Sequence, residues 1–532
     1  MQQAELRSPA PKRAAAPSTY DLVAYESHPF PRTHIRHLHA MGRLFGLTPA
    51  DPDHCRVLEF GCASGGNLLP MAIDHPGSRF TGVDLASREI EKGRRHVAEL
   101  GVKNMELRAL SLTDADESFG RFDYVIAHGV YSWVPTEVRE RLLTICRERL
   151  APGGVVLVSY NTLPGWATWQ GLRDMILYSG RDLPDPQERA GHARRLLDAL
   201  HRTGRNDHSP YWEMLRQEIE KTSDLSDWFF LHEHVEEENT PVYFHDFVEH
   251  AREADLDYLG EADLTAMNLG GLSTPRIELP DMAEDPVFRL QYLDLVQNRR
   301  FRMSLLCHRG EKSDVALTAD RLWDFHWTSI LRPQMPPADP ATAIAGMLTF
   351  VGPAGEIRLK TADPASGAVY DTLCRQKLPV RPEDLISQAM ARFGIDDGEA
   401  LRAALLRPAL GLVMANLITP HSFPGNWAPG VSARPLASRL ARHQARRSDW
   451  ITTQRHEPLG ADPVLREVIR LADGRHSRLA MIEELRHLAA RGKLGLHQQG
   501  QAVRDPAAAA RMIPALVDQM LAFLADQAVL VG

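Results

Sequence analysis

Between about residues 56 and 160 the chain alternates short apolar runs with segments of helical periodicity. The pattern predicts strands at 56–60, 79–84, 105–110, 122–126 and 154–160, with helices at 67–74, 87–100 and 136–149. Ser87 reads as the N-cap of a helix that carries Ile90, Val97 and Leu100 on one face and stops at Gly101. Thr136, after Pro135, reads as the cap of the next helix. Such alternation implies a parallel sheet with helices on both faces. A helical stretch near Ile35 to Phe45 precedes it, and helical patterns dominate 166–300. Met347-Leu348-Thr349-Phe350 and Glu356-Ile357-Arg358-Leu359 flank a Gly-Pro-Ala-Gly turn and read as a hairpin. Helices follow at 383–393 and 399–416, then near 462–473, 477–490 and 513–527, with a short apolar strand Val529-Leu530-Val531. Three helices with short strands predict a winged-helix-like module at the C-terminal end. The Pro-rich 331–340 and Gly/Pro-rich 420–435 passages read as linkers.

With 532 residues the chain is too long for one core, and 44% hydrophobic with 24% charged residues is ordinary for a globular protein. A net charge of −8 speaks against nucleic acid as the general partner. The 5 cysteines, Cys55, Cys62, Cys146, Cys307 and Cys374, are odd in number and contain no Cys-x-x-Cys pair. They predict reduced thiols and a cytoplasmic location. Residues 1–18 read as a disordered tail without a signal core, and no apolar run reads as long enough to cross a membrane.

The chemistry begins at Val57-Leu58-Glu59-Phe60-Gly61-Cys62-Ala63-Ser64-Gly65-Gly66-Asn67, a strand that runs through an acid into a glycine-rich turn and a helix. A second strand ends on Asp84, about twenty residues on, where an acid would bind a ribose diol. The glycines are spaced Gly61-x-x-x-Gly65-Gly66 rather than Gly-x-Gly-x-x-Gly, which points from a dinucleotide toward S-adenosylmethionine (SAM). On this reading Gly61, Cys62, Ala63, Gly65 and Asn67 present the turn to the ligand, the glycines because a Cβ there would collide with it. Glu59 would face the methionine ammonium, directly or through water, Asp84 the ribose, and Ser111 or a nearby main-chain amide the polar edge of the adenine; Leu85 and Leu112 count among the cofactor contacts. No acid follows the third strand at 110–112; Asp114 stands just beyond. Phe122-Asp123-Tyr124-Val125-Ile126 and Leu150-x-Pro152-Gly153-Gly154 complete the ordered set. Around the methyl group, His128 follows a strand end as a base or substrate-orienting group would, and it also counts among the cofactor contacts. Tyr131, Trp133, Tyr160 and Tyr25 would form an aromatic channel that disfavours an ammonium, with Asn161 beside it. Tyr20, Tyr25, Ser27, His28 and Phe30 would fold over the site as a lid.

This set over residues 55–165 resembles the class I SAM-dependent methyltransferases. The longer pattern is more specific: Tyr-Asp-x-Val-x-Tyr-x-Ser (20–27), His-Gly-Val-Tyr-Ser-Trp-Val-Pro (128–135), Ser-Tyr-Asn-Thr-x-Pro-Gly-Trp (159–166), the acidic His-rich stretch Leu231 to His245, and Arg455-His456-Glu457. Together they resemble bacterial methyltransferases carrying a methyltransferase regulatory domain, including the rickettsial protein lysine methyltransferases. The resemblance implies an α/β, Rossmann-like class I methyltransferase sheet, a helical middle domain and a C-terminal winged-helix-like domain. The expected division is a tail at 1–18, a SAM-binding domain with N-terminal lid at 19–175, an acidic helical regulatory domain at 176–330, an α+β accessory region at 331–425 and the winged-helix-like domain at 426–532. It also implies SAM as cofactor and lysine side chains of a protein as the acceptor.

Other readings stay open at this point. A small-molecule methyltransferase would share the core. A non-catalytic SAM-binding regulator would use Arg434, Arg439, Arg442, Arg446 and Arg447 on DNA, although such a run is usually a solvated helix face. His232, His234, His245 and His250, among Glu236, Glu237 and Glu238, have no recognised metal-ligand spacing and read as a surface-exposed acidic helix pair; Cys307-His308 reads as structural. The acidic stretch Asp224 to Asp263 would attract a cationic substrate.

Overall fold

The computed structural model describes residues 26–270, 277–280, 284–312, 317–334, 348–352, 358–498, 501–503 and 505–531. The tail at 1–18, Tyr20 and Tyr25, most of the 331–340 passage and the turn of the 345–360 hairpin lie outside these residues. The described residues divide into two compact units: Glu26, 86–92 and 168–237 form one, and 27–85, 93–167 and those from 238 onward form the other.

The larger unit is built on a seven-stranded sheet. Its strands are β1 (Arg56–Phe60), β2 (Arg79–Asp84), β3 (Met105–Ala109), β4 (Phe122–Ala127), β5 (Leu150–Asn161), β6 (Leu256–Glu261) and β7 (Phe301–His308), in the order β3-β2-β1-β4-β5-β7-β6. Strands β1 to β5 pair in parallel, joined by crossover helices that include Leu68–Asp74, Ser87–Glu99 and Thr136–Arg149. β4 is buried at every position but Asp123, as a strand covered on both faces must be. The chain order reverses between β1 and β4, which opens a crevice beyond the carboxyl ends of those strands.

The expected all-parallel sheet is corrected by β6 and β7. β7 runs antiparallel to both β5 and β6, so residues from the region expected to be helical extend the sheet by two strands. A buried polar cluster marks this extension. Arg302 of β7 donates to Asp294 at 2.8 and 2.9 Å and to Glu261 at 2.6 Å. Ser304 and Tyr258 also donate to Glu261, and Arg302 lies 4.1 Å from the Phe244 ring. Each buried charge thus has an opposite charge and a hydrogen bond, the condition under which such groups are tolerated in a core. The helix Phe244–Glu253 lays Phe247 on this face of the sheet, stacked on Tyr160 at 4.0 Å and edge-on to Tyr131 at 5.3 Å.

Several local expectations shift. Ser87 and Thr136 are first helical residues rather than caps, and Pro135 precedes the second helix with no side-chain cap. A helix at Pro364–Cys374, capped by Asp363, was not expected. Leu348–Val351 pairs antiparallel with Arg358–Thr361, each strand running one or two residues past its expected end, while Met347, Glu356 and Ile357 lie outside the described residues. In the C-terminal module the last helix starts at Pro506 and runs to Asp526, and Leu530 makes an isolated bridge to Ala437 in place of a strand. That helix is long and apolar enough to span a membrane by length and composition, contrary to expectation. It nevertheless buries Ile513, Val517, Leu521 and Leu524 in the module's own core and carries Arg511 and Asp518. A hairpin of Trp450–Thr452 and Pro458–Gly460 and helices Pro463–Leu471 and Arg478–Ala490 complete the module.

The smaller unit is helical, with Pro186–Thr203 capped by Asp185, which accepts from the amides of Gln187 and Glu188. Arg173 donates to the carbonyls of Glu236 and Glu237, fixing the end of the His-rich stretch. His232 is buried there, which corrects the reading of this stretch as a surface-exposed helix pair.

Candidate active site

The turn after β1 is shaped by its backbone. Gly61 and Gly65 have φ of +70° and +75°, a region open to glycine at little steric penalty. A Cβ at Gly61 would sit 2.6 Å from Val130 Cγ2, and one at Gly65 2.6 Å from Met105 Cε. Both positions thus favour glycine on the protein's own account, through a left-handed backbone and, at Gly61, a neighbour that a Cβ would strike. Cys62 turns its thiol inward, so tightly against Gly82 that a Cβ there would lie 2.7 Å from the sulfur; burial pushes that thiol pKa well up. The Cys62 main chain is engaged as well: its amide donates to the Val83 carbonyl at 3.3 Å and its carbonyl accepts from the Gly65 amide at 2.7 Å. Ala63 holds a φ of 45°, and its amide donates to Asp84 Oδ2 at 2.7 Å. The turn after β1 and the carboxylate ending β2 are thus directly joined. Leu85, next to Asp84, is 67% exposed, an apolar surface beside an acid.

Glu59 and Asn67 lie beneath this turn, both buried. Asn67 Nδ2 donates to Glu59 Oε1 at 2.7 Å, while Glu59 Oε2 is buried with no hydrogen-bond partner among the described residues. Burial pushes the Glu59 carboxyl up to about 8, opposed by the Asn67 hydrogen bond and reinforced by Asp84. The Asn67 carbonyl accepts from Phe30 N at 3.1 Å and pairs with His456 Nε2 at 2.7 Å. Ser27, expected in a lid, accepts from Gly66 N at 2.8 Å, and a Cβ at Gly66 would strike the Ser27 carbonyl at 2.0 Å. The segment from Ser27 to Thr33 is thus seated on the turn.

Ser111 accepts from Thr113 N and pairs with Thr113 Oγ1 at 2.7 Å, so its hydroxyl is committed to capping a short turn. Leu112 packs on the main core and is half-buried.

Beyond β4, His128 Nδ1 lies 2.9 Å from Ser159 Oγ, which also accepts from Gly129 N at 2.8 Å. Burial holds the His128 imidazole down at about 4, so it is neutral at physiological pH. Phe30 meets the ring edge-on at 4.2 Å, and Phe301, 40% exposed, stands 6.0 Å away. A Cβ on Gly129 would meet nothing within 4 Å, so space opens beside His128.

The expected tyrosine channel is not formed by Tyr131 and Tyr160. They are 2% and 1% exposed and embedded in the main core against Phe247. Tyr131 pairs with His250 Nδ1 at 2.7 Å and Tyr160 with Ser304 Oγ at 2.9 Å. Trp133 is half-buried in a short turn, and Asn161 is buried, its amide donating to Asn239 Oδ1. The aromatic surface near His128 comes instead from Phe30 and Phe301. Sequence reasoning missed Phe301 because it lies far along the chain. Ser159 did carry a signal, as the first polar residue after the apolar run Val155 to Val158.

Among the described residues, His96, Glu99 and His443 bring three ligand-type atoms together. Arg447 lies 2.9 Å from Glu99 and 3.4 Å from His443 Nδ1, and His443 Nε2 lies 3.2 Å from His96, so hydrogen bonds account for the group without an ion.

The site fits SAM. The buried unpaired oxygen of Glu59 suits an ammonium, the Asp84 carboxylate a diol, and the exposed Leu85 an aromatic base. Comparison with known proteins agrees. Three family descriptions match in succession: a methyltransferase domain at 58–156, a predicted methyltransferase regulatory domain at 226–308, and the PKMT C-terminal winged helix domain at 433–529. Uncharacterized protein RP789 of Rickettsia prowazekii (strain Madrid E) is 32% identical over 517 residues, 96% of this chain and 93% of the relative. A shorter protein of that organism, RP028, is 38% identical over 241 residues, covering 45% of this chain and 96% of its own length. The structure of PKMT2 from Rickettsia typhi in complex with AdoHcy superposes with a TM-score of 0.87 at 29% identity, covering 96% of this chain and 100% of that one.

Proposed function

The chain belongs to the family of SAM-dependent methyltransferases that join a class I methyltransferase sheet to a regulatory domain and a PKMT-type winged helix, and from that premise we propose that it methylates lysine amines of a protein substrate. The observation that carries the site is the joint between Ala63 and Asp84, set above the unpaired oxygen of Glu59. Bound SAM supplies an electrophilic methyl group on a sulfonium.

The protein's own residues do the rest. The turn from Gly61 to Gly65 would lie against the methionine end, Glu59 against its ammonium and Asp84 against the ribose. Leu85 and Leu112 flank the adenine, and a main-chain group near Ser111 meets its polar edge, since the Ser111 hydroxyl is engaged. A free lysine has a pKa of about 10.4 and must lose a proton before it attacks. Phe30 and Phe301 disfavour the ammonium by excluding water, and His128, already neutral, orients the amine rather than removing its proton. When Nδ1–H donates to Ser159, Nε2 of His128 is left to accept an amine N–H.

The free cysteines Cys55, Cys62, Cys146, Cys307 and Cys374 support a reducing compartment, hence the cytoplasm. Incubating the purified protein with tritiated SAM and cell lysate tests the acceptor. Label recovered as methyllysine from protein bands supports the reading, and label confined to extractable metabolites overturns it.

A further inference from the structure

We propose that the C-terminal module completes the SAM site, with His456 acting as a positioning residue for Glu59. The proposal rests on the SAM reading of Glu59 given above. His456 occupies the turn of the hairpin Trp450–Thr452/Pro458–Gly460, inside the stretch matched as a winged helix. Thr453 closes that turn: its amide donates to the Glu457 carbonyl at 2.9 Å, and its hydroxyl accepts from the amide of Glu457 at 3.2 Å. The turn places the buried imidazole of His456 against Asn67, at 2.7 Å.

The direction of each hydrogen bond follows from one fixed donor. Phe30 N–H can only donate, so the Asn67 atom it meets is the carbonyl oxygen. His456 Nε2 therefore carries its hydrogen and donates to the same oxygen, which the Thr33 hydroxyl also meets at 3.0 Å. The Asn67 amide nitrogen is then turned onto Glu59 Oε1. Glu59 Oε2 is left as the one buried oxygen of this chain of contacts without a protein partner. The line His456, Asn67, Glu59 thus ends on the atom that would receive the ammonium. Asn67 acts on the cofactor through Glu59, to which it gives one amide N–H.

The backbone of His456 gives a second, independent sign. Its φ is 62°, in the left-handed region where glycine is the low-strain residue. A buried histidine held in this conformation stores strain of the kind that clusters at ligand clamps. The ring is further fixed edge-on to His34 at 4.8 Å, and Trp450 of the same hairpin meets His28 at 4.5 Å. The hairpin therefore grips the segment that covers the turn as well as Asn67.

The test is calorimetric SAM titration of full-length protein with His456→Leu and His456→Gln. Glutamine keeps a donor near the Nε2 position; leucine keeps bulk without one. SAM affinity is expected to fall about tenfold or more in H456L and to stay within about threefold of wild type in H456Q. At saturating SAM, kcat of H456L is expected to return to near the wild-type value. Equal SAM affinity in wild type, H456L and H456Q overturns the proposal, as does equal loss in the two variants. Should H456L fail to fold, H456G serves: it removes the ring and relaxes the turn, so it is expected to keep its Tm and lose SAM affinity. Wild-type affinity in H456G counts against the proposal. Absence of SAM binding by the wild type is a different outcome, since it removes the SAM site itself.

Discussion

Asp84 accepts the amide of Ala63 at 2.7 Å, so the carboxylate that ends β2 holds the turn that follows β1. One side chain therefore has two tasks: it fixes a strained backbone at Ala63, φ 45°, and it faces the crevice. Replacing it separates the two. Asp84→Ala is expected to abolish measurable SAM binding in calorimetry. Asp84→Asn keeps an acceptor for the Ala63 amide but loses the charge, and is expected to bind weakly. Wild-type affinity in D84A sinks the site.

Glu59 predicts a pH dependence with a definite sign. Its carboxyl, pushed up from an ordinary 4.5 to about 8, keeps its proton in the folded protein while the unfolded chain releases it. Stability from this group is fully present below pH 4.5 and is lost as pH rises toward 8, by roughly 1.4 kcal/mol per pH unit at most. Denaturation of SAM-free wild type against Glu59→Gln should show the variant gaining relative stability between pH 5 and 8. Because an ammonium pairs with the ionised form, SAM binding below pH 8 should also release a proton, read from binding heats in buffers of different ionisation enthalpy. A pH-independent stability difference would contradict this.

His128 is expected to govern turnover, not cofactor affinity. His128→Ala should lower kcat by about a hundredfold while SAM affinity changes little. Since burial holds the imidazole at about 4, the pH–rate profile of the wild type between 6 and 9 should contain no limb that disappears in the variant. Unchanged turnover in H128A would remove it from the reacting centre.

Tyr160 should behave as a core residue. Tyr160→Phe loses the contact with Ser304 and is expected to destabilise by about 1 kcal/mol in chemical denaturation, with the KM for the protein substrate unaltered. Phe247→Ala, which empties the space between Tyr131 and Tyr160, is expected to cost about 3–5 kcal/mol. A raised substrate KM in Y160F at undiminished stability would restore the tyrosine channel.

The sequence made the first five strands and the cofactor turn readable because each is local: a run of apolar residues, then an acid or glycines at fixed spacing. β6 and β7 were not readable for the opposite reason. Their interior positions include Glu261, Arg302 and Ser304, which look like surface residues until Asp294 and one another neutralise them. Tyr131 and Tyr160 were assigned to a channel because nothing nearby in the chain announces Phe247 as the residue that covers them. Phe301 and His456 reach the site from distant segments, and no spacing rule links either to Gly61. Glycine type was legible at 61 and 65, but the Val130 methyl that a Cβ at Gly61 would strike was not.

The pairing of β5 with β7 has a consequence for synthesis on the ribosome. β5 is 12 residues long, and residues 155 to 161 are buried. Its outer neighbour, Phe301–His308, is translated much later than the helices that follow β5. Until that strand emerges, the nascent chain carries an open apolar edge, the kind of surface that recruits other chains or a chaperone. A gene fragment that stops between residues 165 and 300 would leave this edge permanently unmatched, and the smallest piece able to close the sheet extends through His308.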